Sequence, residues 1–543
     1  MANIFVVGIG GTGMRCIEAF THLCAMGMFD NTDVHLLALD TDKDNGNFTR
    51  LKNLKEAYQK TKHFKGQTND NSSKQFALKD TFFSANLHYY QFSPDYSKVS
   101  TFDALYNYGD AKFSNPEKAA IADLLFTNSA KSFDLKHGYR AQTHLGSMLM
   151  YHSIINDIKQ NDKSDLRRFI QELITASNSG NPRVFILGSV FGGTGASSIP
   201  IIPKAIKEAA ALISDATDIE RNAYFGATLL TSYFSFPLPN EKEKQQQKVI
   251  ATSDKFALNS QAAMMFYEAD ETVKKTYQKF YMMGTEGMEW QPSKIKDKTI
   301  TGGESQENDS HYIELLAAFA AYHFFNSPEE GTDNAQLTGL RDLKLDKRIE
   351  YLYRTFNENG KIDFTDFVGS EKKEELAKKI GLFTAMSYFT LLEKYDFFVQ
   401  AQTGDLKKVK IEGYEDIDPE EVKNLKRYMS LYHFAIENGG IKDGWLRQVH
   451  RSAGGGDKFL LNPEVFGCNS IKEFEKFDFN EKMFQKNSDF ESFKFKTGLL
   501  GSIYDSFLKS FISSQEPESI TNKNEKLIKR TYDTLCQLYN FKN

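Results

Sequence analysis

Apolar residues at the start of the chain come first as a run, then at helical spacing, then as a run again. Ile4-Phe5-Val6-Val7 is unbroken, the pattern of a central parallel strand buried on both faces. From Met14 to Met26 the apolar positions Cys16, Ile17, Phe20, Leu23 and Cys24 share one helical face. Val34–Leu39 is apolar again and ends in Asp40-Thr41-Asp42. Strand, helix and strand make a βαβ unit. The alternation resumes with a helix over Asp165–Ser177, a turn at Ser179-Gly180-Asn181-Pro182 and a strand at Arg183–Ile186. Further strands are expected at Ala223–Thr231 and Gln278–Met283, separated by a helix from about Glu241 to Tyr267. Ser310–Phe325 is apolar nearly all round, the mark of a helix enclosed by protein.

Between and after these elements the pattern weakens. Residues 43–135 are polar and mixed and read as a long excursion between core elements, with short helices near Leu51–Tyr58 and Pro116–Phe126. Beyond residue 330, helices are expected at Lys372–Tyr395, Pro419–Glu437, Leu499–Ser513 and Glu525–Phe541. Ile349–Phe356 and Lys361–Phe367, joined at Asn357-Glu358-Asn359-Gly360, read as a hairpin. The whole predicts an α/β fold. It has a doubly wound, mostly parallel sheet with ligands at the carboxyl ends of its strands, then a largely helical α+β C-terminal region.

Two glycine-rich loops carry the candidate chemistry. Leu187–Ser198 (LGSVFGGTGASS) follows a strand and opens a helix with apolar positions at Ala205–Ala211. Gly192, Gly193 and Gly195 let backbone N–H groups approach an anion, and Thr194, Ser197 and Ser198 add hydroxyls. No Gly-Lys-Ser/Thr follows, so this is not a Walker A loop. The first loop, Gly8-Ile9-Gly10-Gly11-Thr12-Gly13, together with Asp40 also matches the dinucleotide fingerprint, with Asp40 on a ribose hydroxyl. That reading predicts one phosphate loop and gives no account of a second. His137–Gly146 reads as a loop entering a helix, with Arg140 available to a phosphate or simply solvated.

Composition narrows the classes. The 543 residues have room for two or three domains. A net charge of −5 offers no electrostatic reason for nucleic acid or an anionic membrane as main partner. The four cysteines form no CxxC or Cys/His zinc pattern, which suits a reduced, cytoplasmic compartment. Neither a signal segment nor a membrane span is expected, because every apolar run is too short.

Two glycine loops after two separate strands, in this order, resemble the tubulin/FtsZ family, and more specifically its divergent prokaryotic members. Val6–Gly13 is similar to that family's first nucleotide loop, and Leu36–Asp42 to its second strand and the loop closing on the nucleotide. Phe191–Ser197 resembles the family's glycine signature, Leu229–Phe236 the strand leading to its ribose-contacting loop, and Ser310–Phe325 its long central helix. The resemblance covers roughly residues 1–330. It implies a GTP-binding domain over 1–309 with an insertion at about 43–135, a central helix over 310–326 and a C-terminal domain over 327–543.

Residue by residue, the resemblance places Gly10, Gly11 and Thr12 at the α- and β-phosphates. It places Gly192, Gly193, Thr194, Gly195, Ala196 and Ser197 around the phosphates, and Gly8, Gly13, Asp40 and Asp42 belong to the same expected nucleotide-binding set. Arg15 falls where the family has a base-contacting asparagine, Phe191 replaces the signature's first glycine and Pro237 replaces a ribose-side glutamate. Glu314, or Asn308-Asp309, falls where the family meets the guanine N1/N2 edge; Glu314 also reads as a helix N-terminal acid. Asp363 and Asp366 resemble the carboxylates that orient the attacking water in a neighbouring subunit, and equally read as solvent-facing acids of a hairpin. The implied function is slow GTP hydrolysis with Mg2+, with assembly or switching through contact with further copies of the chain and a protein partner on the helical C-terminal region. The alternatives are a Rossmann-type NAD enzyme and a scaffold that binds nucleotide without hydrolysing it.

Overall fold

The computed structural model describes residues 4–62, 80–96, 99–135, 138–139, 142–235, 252–285, 306, 308–327, 350–356, 379–384, 386–387, 390–391, 419–437, 440–452, 503–515, 518, 520 and 523–538. Arg140, Pro237, Asp363, Asp366 and the second hairpin arm lie outside them.

Among the described residues seven parallel strands form the central sheet, in the order β3-β2-β1-β4-β5-β6-β7. They are β1 (Ile4–Ile9), β2 (Asp33–Leu39), β3 (Asn86–Phe92), β4 (Arg183–Leu187), β5 (Tyr224–Leu230), β6 (Lys279–Thr285) and β7 (Glu350–Phe356). The chain winds outward from β1 to β3, then returns to lay β4 on the other side of β1. This is a doubly wound topology whose switch point lies between β1 and β4.

Alternate residues of each strand feed opposite layers. Val6, Leu36 and Phe185 enter a core shared with the glycine helix (Gly10–Ala25) and the central helix (Tyr312–Asn326). Phe5, Val7, Leu37, Val184 and Ile186 enter a second core under the helices Thr143–Gln160, Asp165–Ser179 and Ile202–Ile213. Strands covered on both faces read as the unbroken apolar runs seen in the sequence.

Two expectations need correction. The 43–135 stretch is not merely an excursion, because β3 within it is an edge strand of the sheet. Its pattern is blurred because Leu87 and Tyr89 serve one core, Tyr90 and Phe92 serve the other, and Gln91 stays exposed at the edge. Glu350–Phe356 is a strand as expected and pairs parallel with β6 in the main sheet; its expected hairpin partner Lys361–Phe367 lies outside the described residues. The helix from Pro419 stops at Tyr432. The chain then forms an antiparallel pair, β8 (Phe434–Glu437) with β9 (Gly440–Asp443).

The C-terminal helices extend the first core. Tyr428 Oη lies 2.9 Å from His22 Nδ1 on the glycine helix, Trp445 packs on the same imidazole, and Tyr532 meets Phe82 edge-on. Arg50 ties the layers together. It donates to Glu18 (2.8 Å), the Asn308 carbonyl (2.9 Å), Ser310 (2.7 Å) and Gln448 (2.9 Å). No helix among the described residues is long and apolar enough to cross a membrane.

Candidate functional site

Both glycine loops leave the carboxyl ends of adjacent strands at the switch point, so the topology brings them face to face. Gly10, with φ of +69°, turns the chain from β1 into its helix; this left-handed conformation suits a residue without Cβ. A Cβ placed there would lie 3.5 Å from Thr194 Cβ and 4.0 Å from the Gly195 nitrogen. Thr41, at the end of β2, joins the same cleft with its hydroxyl 3.2 Å from that of Thr194. Gly138 faces Thr41 and Thr194 from the loop before the helix Thr143–Gln160. Gly10, Thr41 and Thr194, from three separate loops, thus meet in one crevice.

The remaining glycines divide by role. A Cβ on Gly13 would sit 2.5 Å from the Leu187 carbonyl, and one on Gly195 2.3 Å from the Ser189 carbonyl, so both are close-packing positions. Gly8 likewise abuts Ile17 and the Gly13 carbonyl. Among the described residues a Cβ on Gly192 would meet only Ser189 Oγ, at an ordinary 3.9 Å. The second loop is buttressed from below: Asn259 donates to the Phe191 carbonyl, Tyr267 to the Ala196 carbonyl at 2.6 Å, and Ser147 to the Ser197 carbonyl at 2.7 Å. Ser197 spends its own hydroxyl on the Thr194 carbonyl, and Ser198 Oγ is buried without a partner. Phe191 packs on Phe234 and Phe256, which explains a bulky residue beside the glycines.

At the other side of the first loop, Arg15 and Glu314 meet each other. Arg15 Nε donates to Glu314 Oε1 at 2.5 Å, and Arg15 Nη2 donates to Tyr233 Oη at 2.9 Å. Tyr233 in turn donates to Glu314 Oε1 at 2.6 Å. Glu314 Oε2 accepts the His311 backbone N–H at 2.9 Å, closing a capping box at the start of the central helix. A buried carboxylate needs a partner, and this one has both a cation and a cap. Burial alone would lower the Arg15 pKa, but the Glu314 carboxylate beside it holds it above its ordinary value.

Asp40 is enclosed by its own loop. It is 3% exposed, and its oxygens accept from Asn45 Nδ2 (2.8 Å) and the Asp42 N–H (3.4 Å) of its own loop. Burial pushes its carboxyl up to about 7, helped by the Asp42 charge and opposed by these hydrogen bonds. Asp42 accepts from the Asp44 N–H. Sequence reasoning missed Asn45 and Asn47, which stand over Gly11: a Cβ there would lie 3.0 Å from Asn47 Nδ2 and 3.6 Å from Asn45 Nδ2. Gln306, just before the central helix, accepts from Asn45 at 2.8 Å. The signal was the polar run Asp42–Asn47 after an apolar strand, where loop residues reach a switch-point crevice.

Among the described residues no three His, Cys, Asp or Glu side chains gather as a metal centre. Comparison with protein-family models, curated proteins and solved structures finds no match to this chain.

Proposed function

We propose that the chain is a nucleotide-binding protein of the tubulin/FtsZ type that holds the phosphates of a nucleoside triphosphate, GTP by resemblance, between Gly10–Thr12 and Gly192–Ser197. One observation carries the reading: two glycine loops, from the adjacent strands β1 and β4, oppose each other at the switch point. The residues fit phosphate. The start of the sixteen-residue glycine helix offers unpaired N–H groups and the positive end of its dipole, and the hydroxyls of Thr12, Thr41 and Thr194 stand nearby. Mg2+ would be held chiefly by the phosphates, whose charge it would offset. Slow hydrolysis and self-assembly belong to the same reading, through Asp363 and Asp366 of a neighbouring copy.

The Rossmann-type alternative needs Asp40 to accept ribose hydroxyls, whereas that carboxyl is buried and engaged by its own loop. Equilibrium binding of GTP, ATP and NAD with Mg2+ to the chain and to Gly192→Val separates the two. The expected result is triphosphate binding that falls by about tenfold or more in the variant, about 1.4 kcal/mol, at an unchanged unfolding midpoint. NAD bound equally by both proteins, with no triphosphate bound, would sink the proposal. GTP turnover and concentration-dependent pelleting then test hydrolysis and assembly.

A further inference from the structure

Glu314, or Asn308-Asp309, is expected at the guanine edge and Arg15 stands in place of the family's base-contacting asparagine; the pairing of Arg15 with Glu314 changes what the cleft can recognise. Glu314 is fully buried, and its carboxylate is taken: Oε1 by Arg15 and Tyr233, Oε2 by the His311 N–H. Three donors fill three of its roughly four acceptor positions, so a guanine edge presenting both N1–H and N2–H would have to displace one of them. Displacing Arg15 would strand a buried cation, a costly state. Arg15 is different. Its Nε and Nη2 are engaged, while Nη1 has no hydrogen-bond partner among the described residues and lies 3.7 Å from where a Gly11 Cβ would stand. An arginine only donates. A buried guanidinium anchored on two nitrogens therefore turns its third toward the glycine loop.

We propose that Arg15 Nη1, and not Glu314, makes the polar contact at this end of the cleft, so that the site takes a ligand oxygen or ring-nitrogen acceptor there and does not select guanine by its N1/N2 edge. The inference rests on the phosphate-binding reading above and deepens it. The ligand class is a nucleoside triphosphate held by its phosphates and met by a donor: guanine O6 or N7 and adenine N7 all satisfy a donor. Orientation of that donor is built in, because Glu314 and Tyr233 fix the guanidinium plane. The rival acceptor is Asn47 Oδ1, buried without a partner among the described residues on the side chain whose Nδ2 stands over Gly11.

The test is competition binding with GTP, inosine triphosphate, ATP and tripolyphosphate on the unaltered chain and on Arg15→Lys, with thermal unfolding of both. Inosine lacks the guanine N2 amine but keeps N1–H and O6, so it reports N2 alone, while ATP, whose adenine lacks both donors, reports N1–H and N2 together. The expected affinities of the three nucleotides lie within about tenfold of one another. In Arg15→Lys, which keeps a cation beside Glu314 but loses the guanidinium fork, all three weaken by about tenfold or more. GTP preferred over inosine triphosphate by about a hundredfold or more would overturn the inference and point to Asn47, because a site built around a hydrogen bond rejects analogues lacking it strongly. Equal affinities untouched by Arg15→Lys in a folded variant would also overturn it. If tripolyphosphate and every nucleotide fail to bind, the phosphate reading itself falls. Should Arg15→Lys not fold, the nucleotide series on the unaltered chain decides.

Discussion

At the glycine side of the cleft, Gly10 and Gly192 let the two loops approach with backbone and hydroxyl groups between them; at the other side, Arg15, Glu314 and Tyr233 fill the interior with a paired charge. The first arrangement can receive an anion with little rearrangement, because its donors are fixed backbone groups. The second is largely paired within itself, with Arg15 Nη1 turned toward the first loop, and its polar groups hold elements together: the glycine helix, the loop after β5 and the central helix. A functional residue type at an expected position is thus no guide to its role until its partners are known. Glu314 answers the helix N-terminus and the Arg15 cation at once.

The largest effect is expected from breaking the buried pair. Glu314→Ala leaves Arg15 charged and unpaired, and chemical denaturation should show a loss of about 3–5 kcal/mol. Replacing both together, Arg15→Met with Glu314→Leu, should recover most of that loss; a double variant as unstable as the single one would contradict the pairing. Next come the close-packed glycines. Gly13→Ala and Gly195→Ala force a Cβ against backbone carbonyls and should each cost about 1–3 kcal/mol, whereas Gly192→Ala should leave the unfolding midpoint unchanged. This contrast separates the glycines that pack from the one that borders the cleft. For the same reason substitution of Gly195 is a poor probe of binding.

A smaller, pH-dependent effect is expected at Asp40. Its carboxyl titrates near 7 in the fold against an ordinary 3.8. Between these values the folded chain keeps a proton that the unfolded chain has released, so stability falls as pH rises through the window and levels off above it. In Asp40→Asn that slope should vanish from melting curves taken between about pH 4 and 8; an unchanged slope would assign it elsewhere. The smallest effect is expected from Thr194→Val. It removes the hydroxyl contact to Thr41 and should cost about 0.5–1.5 kcal/mol in unfolding free energy; no change would mean that this contact does not hold the loops together.

Much of the doubly wound half was legible because its strands are covered on both faces, which leaves runs such as Ile4–Val7 without a polar break. The two glycine loops were legible for a local reason too: glycine spacing between a strand and a helix needs no knowledge of distant residues. What could not be read is what depends on pairing. β7 was recognisable as a strand, but nothing in Glu350–Phe356 says that its partner is β6. β3 hid in a polar stretch because an edge strand serves two cores unevenly. Arg15 and Glu314 are 299 residues apart, and each alone resembled a ligand contact. Asn45 and Asn47 looked like ordinary loop polarity until the fold set them over Gly11.

The central claim is that a single ligand is held by both glycine loops. Amide hydrogen exchange on the intact chain, with and without saturating GTP and Mg2+, tests it most directly. The account expects slowed exchange in both the segment around Gly10–Thr12 and the segment around Gly192–Ser197. Protection confined to the first segment, or absent from both, would contradict it.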